Sequence, residues 1–273
     1  MMKTIMFWSC TGVDASELSF QTAKLMSDTE KTLIAELPCL GIPRLAFVCG
    51  VMERERHIEA AITDFEQKRS ISWDMVHAVG KRLYALPASV FSTPDYPVSM
   101  RVNLDALMGF VPALQDMAKA RDCGRLVLEC QGQLHSPLTF FSLKSADMVV
   151  VPLGKPTEAA YALASVRRLV QVYKHRPDKF LLASTGSRKA IESAAFIGGA
   201  ERMLFGGMQV TAWHSRKIMS ALDSGDAGST KDPYETVSAG AAEERFVGSR
   251  KGVRERLYTG AACETPGESP VYL

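Results

Sequence analysis

Short runs of apolar, β-prone residues alternate with longer runs whose apolar positions recur at spacings of three and four, from the N-terminus to about residue 220. That alternation predicts parallel strands joined by crossover helices. Strands are expected at residues 4–9, 32–37, 45–49, 82–86, 125–130, 148–153 and 179–183. Several are apolar almost throughout, the pattern of strands covered on both faces. Helices are expected at 17–27, 53–68, 104–122, 157–173 and 187–196. In the fourth of these, Ala160, Leu163, Val166, Leu169 and Tyr173 fall on one stripe, while Arg167, Arg168 and Lys174 fall on a solvated side. The expected fold is α/β: a three-layer α-β-α sandwich around a mostly parallel central sheet.

The texture changes after residue 222, where Gly, Ser, Thr and Pro replace the apolar periodicity. Two parts follow from this: an α/β domain over residues 1–222 and a polar extension over 223–273, expected to be loops with at most one short helix. Within the extension Arg245, Arg250, Lys251, Arg254 and Arg256 cluster with Phe246 and Tyr258, diluted by Glu243, Glu244 and Glu255. Of these, Arg250, Lys251, Arg254 and Arg256 are the candidate contacts to an acidic partner or a phosphate backbone, against a solvated tail as the simpler account.

Charge and cysteine content narrow the classes. With 32 basic and 30 acidic side chains in 273 residues, the net charge of +2 gives no strong nucleic-acid signal. Six scattered cysteines, with no Cys-x-x-Cys pair, argue against a zinc site or a disulfide framework. A cytoplasmic location is therefore expected, since Asp14 and Glu17 also interrupt any signal-peptide core. The five histidines stand in no catalytic spacing to Ser, Cys or Asp.

The stretch FWSCTGVDASELSFQTAKLM, residues 7–26, has a strand, a short loop and a helix in succession. Such a junction aims backbone N–H groups and the positive end of a helix dipole at one spot, where phosphates bind. Several blocks in order then resemble the ParA/MinD family of deviant Walker ATPases, whose fold is P-loop NTPase-like. Set against that family's loop, K-G-G-x-G-K-[ST]-[ST], Cys10, Thr11, Gly12, Val13, Asp14, Ala15, Ser16 and Glu17 keep one glycine and the magnesium-type hydroxyl of Ser16 but neither lysine. In LIAELPCLG, Glu36 takes the place of the first switch aspartate and Pro38 that of the second. KRLYALPAS resembles the block N-L-x-x-L-P-A-S. RLVLECQGQL resembles the Walker B strand, with Glu129 for its aspartate, and SADMVVVPLGKPTEAAYALASVRRLV the A-D-x-V-x-V-P strand and helix. The likeness spans about 200 residues and stops before the extension.

The resemblance implies a vestigial phosphate loop at Gly12, Val13, Asp14, Ala15 and Ser16, with Glu36 and Glu129 at vestigial metal and water positions. Asp14 adds a negative charge where the family places cations, and like charges a few ångströms apart cost about 4 kcal/mol near a protein surface. Asp14 or Ser16 is expected instead to cap the helix that begins near Glu17. No bound cofactor is expected, ATP with magnesium being disfavoured, and no catalytic residue or metal ligand is assigned. The implied function is that of a non-hydrolysing pseudo-ATPase that positions or scaffolds an assembly such as a pilus or secretion apparatus, as in the TadZ/CpaE branch. It would act through a protein partner, as a homodimer or as a heterodimer with an active relative, with membrane or cell-pole recruitment only indirect. Two alternatives stand beside it: an ATPase with an atypical loop, drawing on Lys144 or Lys155, and a DNA-associated partition factor.

Overall fold

A computed structural model describes residues 2–38, 43–91, 98–186, 188–199 and 209–223. Among them are eight strands: β1 (Lys3–Trp8), β2 (Thr32–Leu37), β3 (His77–Ala78), β4 (Leu83–Leu86), β5 (Arg125–Cys130), β6 (Met148–Leu153), β7 (Phe180–Ser184) and β8 (Gln209–Ala212). They form one sheet in the order β3-β4-β2-β5-β1-β6-β7-β8. Every pairing is parallel except the short β3–β4 hairpin. The helices are α1 (Ser16–Ser27), α2 (Leu45–Cys49), α3 (Ile58–Lys68), α4 (Leu104–Ala120), α5 (Pro137–Ser145), α6 (Pro156–Gln171), α7 (Arg188–Gly198) and α8 (Ser215–Asp223).

Side-chain alternation along the strands builds two cores. Met6, Trp8, Leu126, Leu128, Val149 and Val151 point to the layer of α3, α4, α5, α6 and α7, where they meet Ile62, Phe110, Leu114, Leu143, Leu163 and Ile191. Ile5, Phe7, Ile34, Val127 and Val150 point the other way, onto Leu18, Met26, Leu45, Ile218 and Leu222 of α1, α2 and α8. The expected three-layer sandwich is therefore present, and the central strands are mostly apolar because both faces are covered, with Glu36 and Glu129 buried acidic exceptions on β2 and β5.

One expected strand is a helix. Residues 45–49 form α2, whose end is closed by Gly50 in the left-handed region (φ 69°), with the Gly50 N–H donated back to Phe47 O at 3.2 Å. Helix α5 and strand β3 lie where no element is expected, and the helix placed at 53–68 begins only at Ile58, capped by His57 Nδ1, which accepts from Ala60 N at 3.2 Å. The extension beyond Asp223, including Arg250, Lys251, Arg254 and Arg256, lies outside the described residues. Among the described residues no helix is long and apolar enough to cross a membrane.

Candidate functional site

The carboxyl ends of β1, β2 and β5 meet at the centre of the sheet, and the expected site residues lie on the segments leaving them. In an open parallel sheet this edge is where ligands bind. After Trp8 the chain is fastened sideways, Ser9 N donating to Cys130 O at 2.8 Å. It then turns through Gly12, whose φ of +77° suits a residue without a Cβ. The turn closes on itself: Gly12 N donates to Ser9 O at 3.4 Å, and Ser9 Oγ donates to the carbonyl of Val13. Val13 rests on Gly154 at the end of β6, where an added Cβ would come within 3.1 Å of Val13 Cγ2.

Helix α1 begins at Ser16, one residue earlier than the sequence suggests. Its first N–H, that of Ser16, is taken by Asp14 Oδ1 at 3.0 Å, so Asp14 supplies the acceptor that a bound anion would otherwise provide. Ser16 does not cap; its hydroxyl crosses to β5 and donates to Glu129 Oε1 at 2.7 Å. Ala15, the residue at the cap position, is buried and offers no side-chain acceptor.

Glu36 and Glu129 are direct register partners on β2 and β5, and both are buried. Glu36 accepts from Arg44 N at 2.7 Å and from Ala88 N at 3.0 Å. The second bond comes from the LPAS block, which thus serves to hold this carboxylate. Glu129 accepts from the Ser16 hydroxyl and from Gln131 Nε2 at 3.2 Å. Burial pushes the Glu36 carboxyl up to about 8, the Glu129 charge adds to the rise, and the N–H groups of Arg44, Ala88 and Leu45 oppose it. Burial also raises Glu129, against the Ser16 and Gln131 hydrogen bonds.

The residue that sequence reasoning did not single out is Arg44. Its guanidinium Nη1 lies 3.4 Å from Asp14 Oδ1, close enough to pair charges but without hydrogen-bond geometry. The acid in the loop is therefore paired with a cation thirty residues away, across a partly solvated gap. Among the described residues, two buried polar atoms lack a hydrogen-bond partner, Arg44 Nη1 and Glu129 Oε2. Such atoms are rare in folded proteins.

Other candidates separate from this edge. Lys155 sits at the head of α6 beside Gly154, on the loop's side, with its N–H donated to Glu158 Oε2 at 3.1 Å. Lys144 does not flank the loop: it lies in the last turn of α5, and its carbonyl accepts from Lys179 Nζ, at the start of β7. His135 is exposed just ahead of α5. Cys10 and Cys130 are buried free thiols, and burial pushes Cys10 up to about 12, so it is no thiolate near neutral pH. Among the described residues, no group of three or more His, Cys, Asp and Glu side chains is arranged to hold a metal ion.

No family model matches the sequence, and no curated relative matches it. Solved structures do resemble its fold. A ParA family ATPase from Chlorobium tepidum aligns with a TM-score of 0.59 at 12% identity, covering 81% of this chain and 99% of that one. The MinC:MinD cell division complex of Aquifex aeolicus aligns at 0.57 and 10% identity over 84% and 97% of the two chains. An ATP complex of a substituted McdA from Cyanothece aligns at 0.52 and 14% identity over 81% and 87%. On sheet order, layer arrangement and these alignments together, the chain has the fold of the ParA- and MinD-type P-loop ATPases.

Proposed function

We propose that this chain is a ParA/MinD-like positioning protein that binds nucleotide weakly or not at all and does not hydrolyse it. The observation that carries the reading is the engagement of the loop by its own chain: Asp14 takes the first helix N–H, and Ser16 gives its hydroxyl to Glu129. A triphosphate fits this donor set poorly, because the loop supplies no lysine and an acid stands where close approach to phosphate is needed. Phosphoryl transfer rests on positioning and charge stabilisation, and removal of one such group alone costs ~10²–10³ in rate. Protein contacts at the carboxyl edge of the sheet take the place of nucleotide chemistry. The Aquifex neighbour is itself a complex of MinD with MinC, a protein partner. The chain acts as a scaffold, as a homodimer or paired with an active relative, for an assembly such as a pilus or secretion apparatus. The degenerate loop resembles the TadZ/CpaE branch in this respect, and recruitment to a membrane or pole then comes through the partner.

A second reading is favoured by one observation, the unmatched Arg44 Nη1 and Glu129 Oε2. They suit an ATP-binding protein with an atypical loop, in which Arg44 replaces the missing lysine and Ser16 and Glu129 hold magnesium. One experiment separates the two. Thermal unfolding is followed with ATP, ADP and magnesium, beside sedimentation velocity under the same conditions. A ligand at about 100 times its dissociation constant adds about 2.7 kcal/mol and raises the Tm by several degrees. The first reading expects no shift and no change of sedimentation. A saturable shift with magnesium-ATP, lost in Arg44→Ala, overturns it in favour of the second.

A further inference from the structure

The opposite end of the sheet holds a cavity of about 330 Å³ that the loop does not reach. One wall is α1 near its C-terminus, where Phe20, Lys24 and Ser27 stand at i, i+4 and i+7 on a single stripe. The other wall is the tip of the β3–β4 hairpin, Val79, Gly80, Lys81, Arg82 and Leu83. The tip is tightly formed, with Val79 N and Gly80 N both donating to Leu83 O, at 3.0 and 3.1 Å. It is fastened to the helix end, because Arg82 Nη1 donates to Thr29 O at 3.0 Å and to Asp28 O at 3.5 Å. Thr32 N closes the base by donating to Arg82 O at 2.9 Å. The cavity is thus preformed by hydrogen bonds rather than left between loose segments.

Its charge is lopsided. Lys24, Lys81 and Arg82 face one acid, Asp28, which leaves a formal excess of two positive charges. Neither the Lys24 nor the Lys81 ammonium is in an ion pair among the described residues. The negative end of the α1 dipole, about half a charge, offsets part of Lys24 in the last turn and leaves an excess of about 1.5. It does not account for Lys81, on the hairpin opposite, nor for Phe20 and Val79 lining the space with them.

The geometry points to a binding site for a small organic phosphomonoester. A phosphoryl group carries about −1.5 to −2 charges near neutral pH, the complement of the excess here, whereas a carboxylate carries one. It sits between Lys24 and Lys81 and the N–H groups of Arg82 that face away from the helix carbonyls. The apolar body lies on Phe20 and Val79. At about 330 Å³ the space is at the small end of ligand pockets, which limits that body to one or two rings. This site shares no residue with the carboxyl-edge loop and does not depend on how that loop is read.

Phenyl phosphate is the probe, titrated calorimetrically into the full chain, with inorganic phosphate and phenol as parallel arms. Saturable binding with a Kd of about 1 mM or tighter is expected for phenyl phosphate, at least tenfold weaker binding for inorganic phosphate, and none for phenol. Lys24→Gln and Lys81→Gln are each expected to weaken phenyl phosphate at least fivefold while moving the Tm by no more than about 2 °C, since both side chains are exposed and Lys24 gives up only its interaction with the α1 dipole. Lowering the pH from 7.5 to 5, through the second phosphate ionisation at about 6, is expected to weaken binding further. Absence of saturation, an affinity that both substitutions leave unchanged, or equal affinity for inorganic phosphate overturns the proposal. Lys81-dependent cosedimentation with vesicles carrying phosphatidic acid, without binding of phenyl phosphate, would replace the soluble ligand by a lipid headgroup and overturn it as well.

Discussion

Replacing Glu129 by glutamine removes one carboxylate from the buried pair on β2 and β5 while keeping its shape. Glu36 has its carboxyl raised from the usual 4.5 to about 8, first by burial and then by the Glu129 charge. A group whose folded pKa lies above its unfolded value binds its proton more tightly when folded. The stability this contributes is complete below about pH 4.5 and is lost as the pH climbs through about 8. At about 1.4 kcal/mol per pH unit, that interval sets a ceiling of roughly 5 kcal/mol. Register partners on adjacent strands lie ~5 Å apart, and a charge at that separation is worth about 3 kcal/mol at an effective dielectric constant of 20. The wild-type chain should therefore lose stability between pH 5 and pH 8.5 in EDTA, as read by urea unfolding and far-UV circular dichroism. Glu129→Gln should lose less, gaining on the wild type by ~1–3 kcal/mol across that range. Parallel stability curves for the two proteins would refute the reasoning, because they would mean that neither the raised titration of Glu129 itself nor its charge on Glu36 is felt.

Four further outcomes follow from packing and charge. Phe110→Ala empties a fully buried position that meets Phe65 edge to face at 6.1 Å, and should cost about 3–5 kcal/mol in urea unfolding. Gly198→Ala would put a Cβ 2.6 Å from Ala160 O and 3.2 Å from Ala164 N, so α6 and α7 must part, and the Tm should fall by several degrees for a cost of about 1–3 kcal/mol or more. Asp14→Ala should cost about 1 kcal/mol through the lost helix-end acceptor. A double-mutant cycle with Arg44→Ala should find a coupling under about 1 kcal/mol, since that ion pair is partly solvated.

The sheet was legible because its central strands obey a simple pattern. Residues 32–37, 125–130 and 148–153 are mostly apolar runs of strand length bounded by polar turns, and each is observed with those limits. The run LAFVC at 45–49 looks the same on paper, and five apolar residues cannot distinguish a strand from a buried turn of helix. The following Gly50, a helix-closing residue, was the available cue. Helix α5 escaped because PLTFFSLKS spreads its apolar residues around the axis, although Ser136 followed by Pro137 is a good start signal, and Ser136 does cap it. At the site, the loop, Glu36 and Glu129 could be placed from the order of blocks. Arg44 could not, since its pairing with Asp14 is a contact between distant segments, and nothing in PRLAFVC marks it.

The indole of Trp8 lies wholly within the core and donates Nε1–H to Gly132 O at 2.7 Å. It therefore connects the strand leading into the loop with the segment that follows Glu129. Any occupant that displaces Gly132 must stretch or break this bond, and the environment of a buried indole sets the colour of its emission. The molecule thus carries its own optical gauge at the centre of the sheet. Once the partly exposed Trp73 and Trp213 are replaced by phenylalanine, docking at that edge can be followed by light alone, with no label attached.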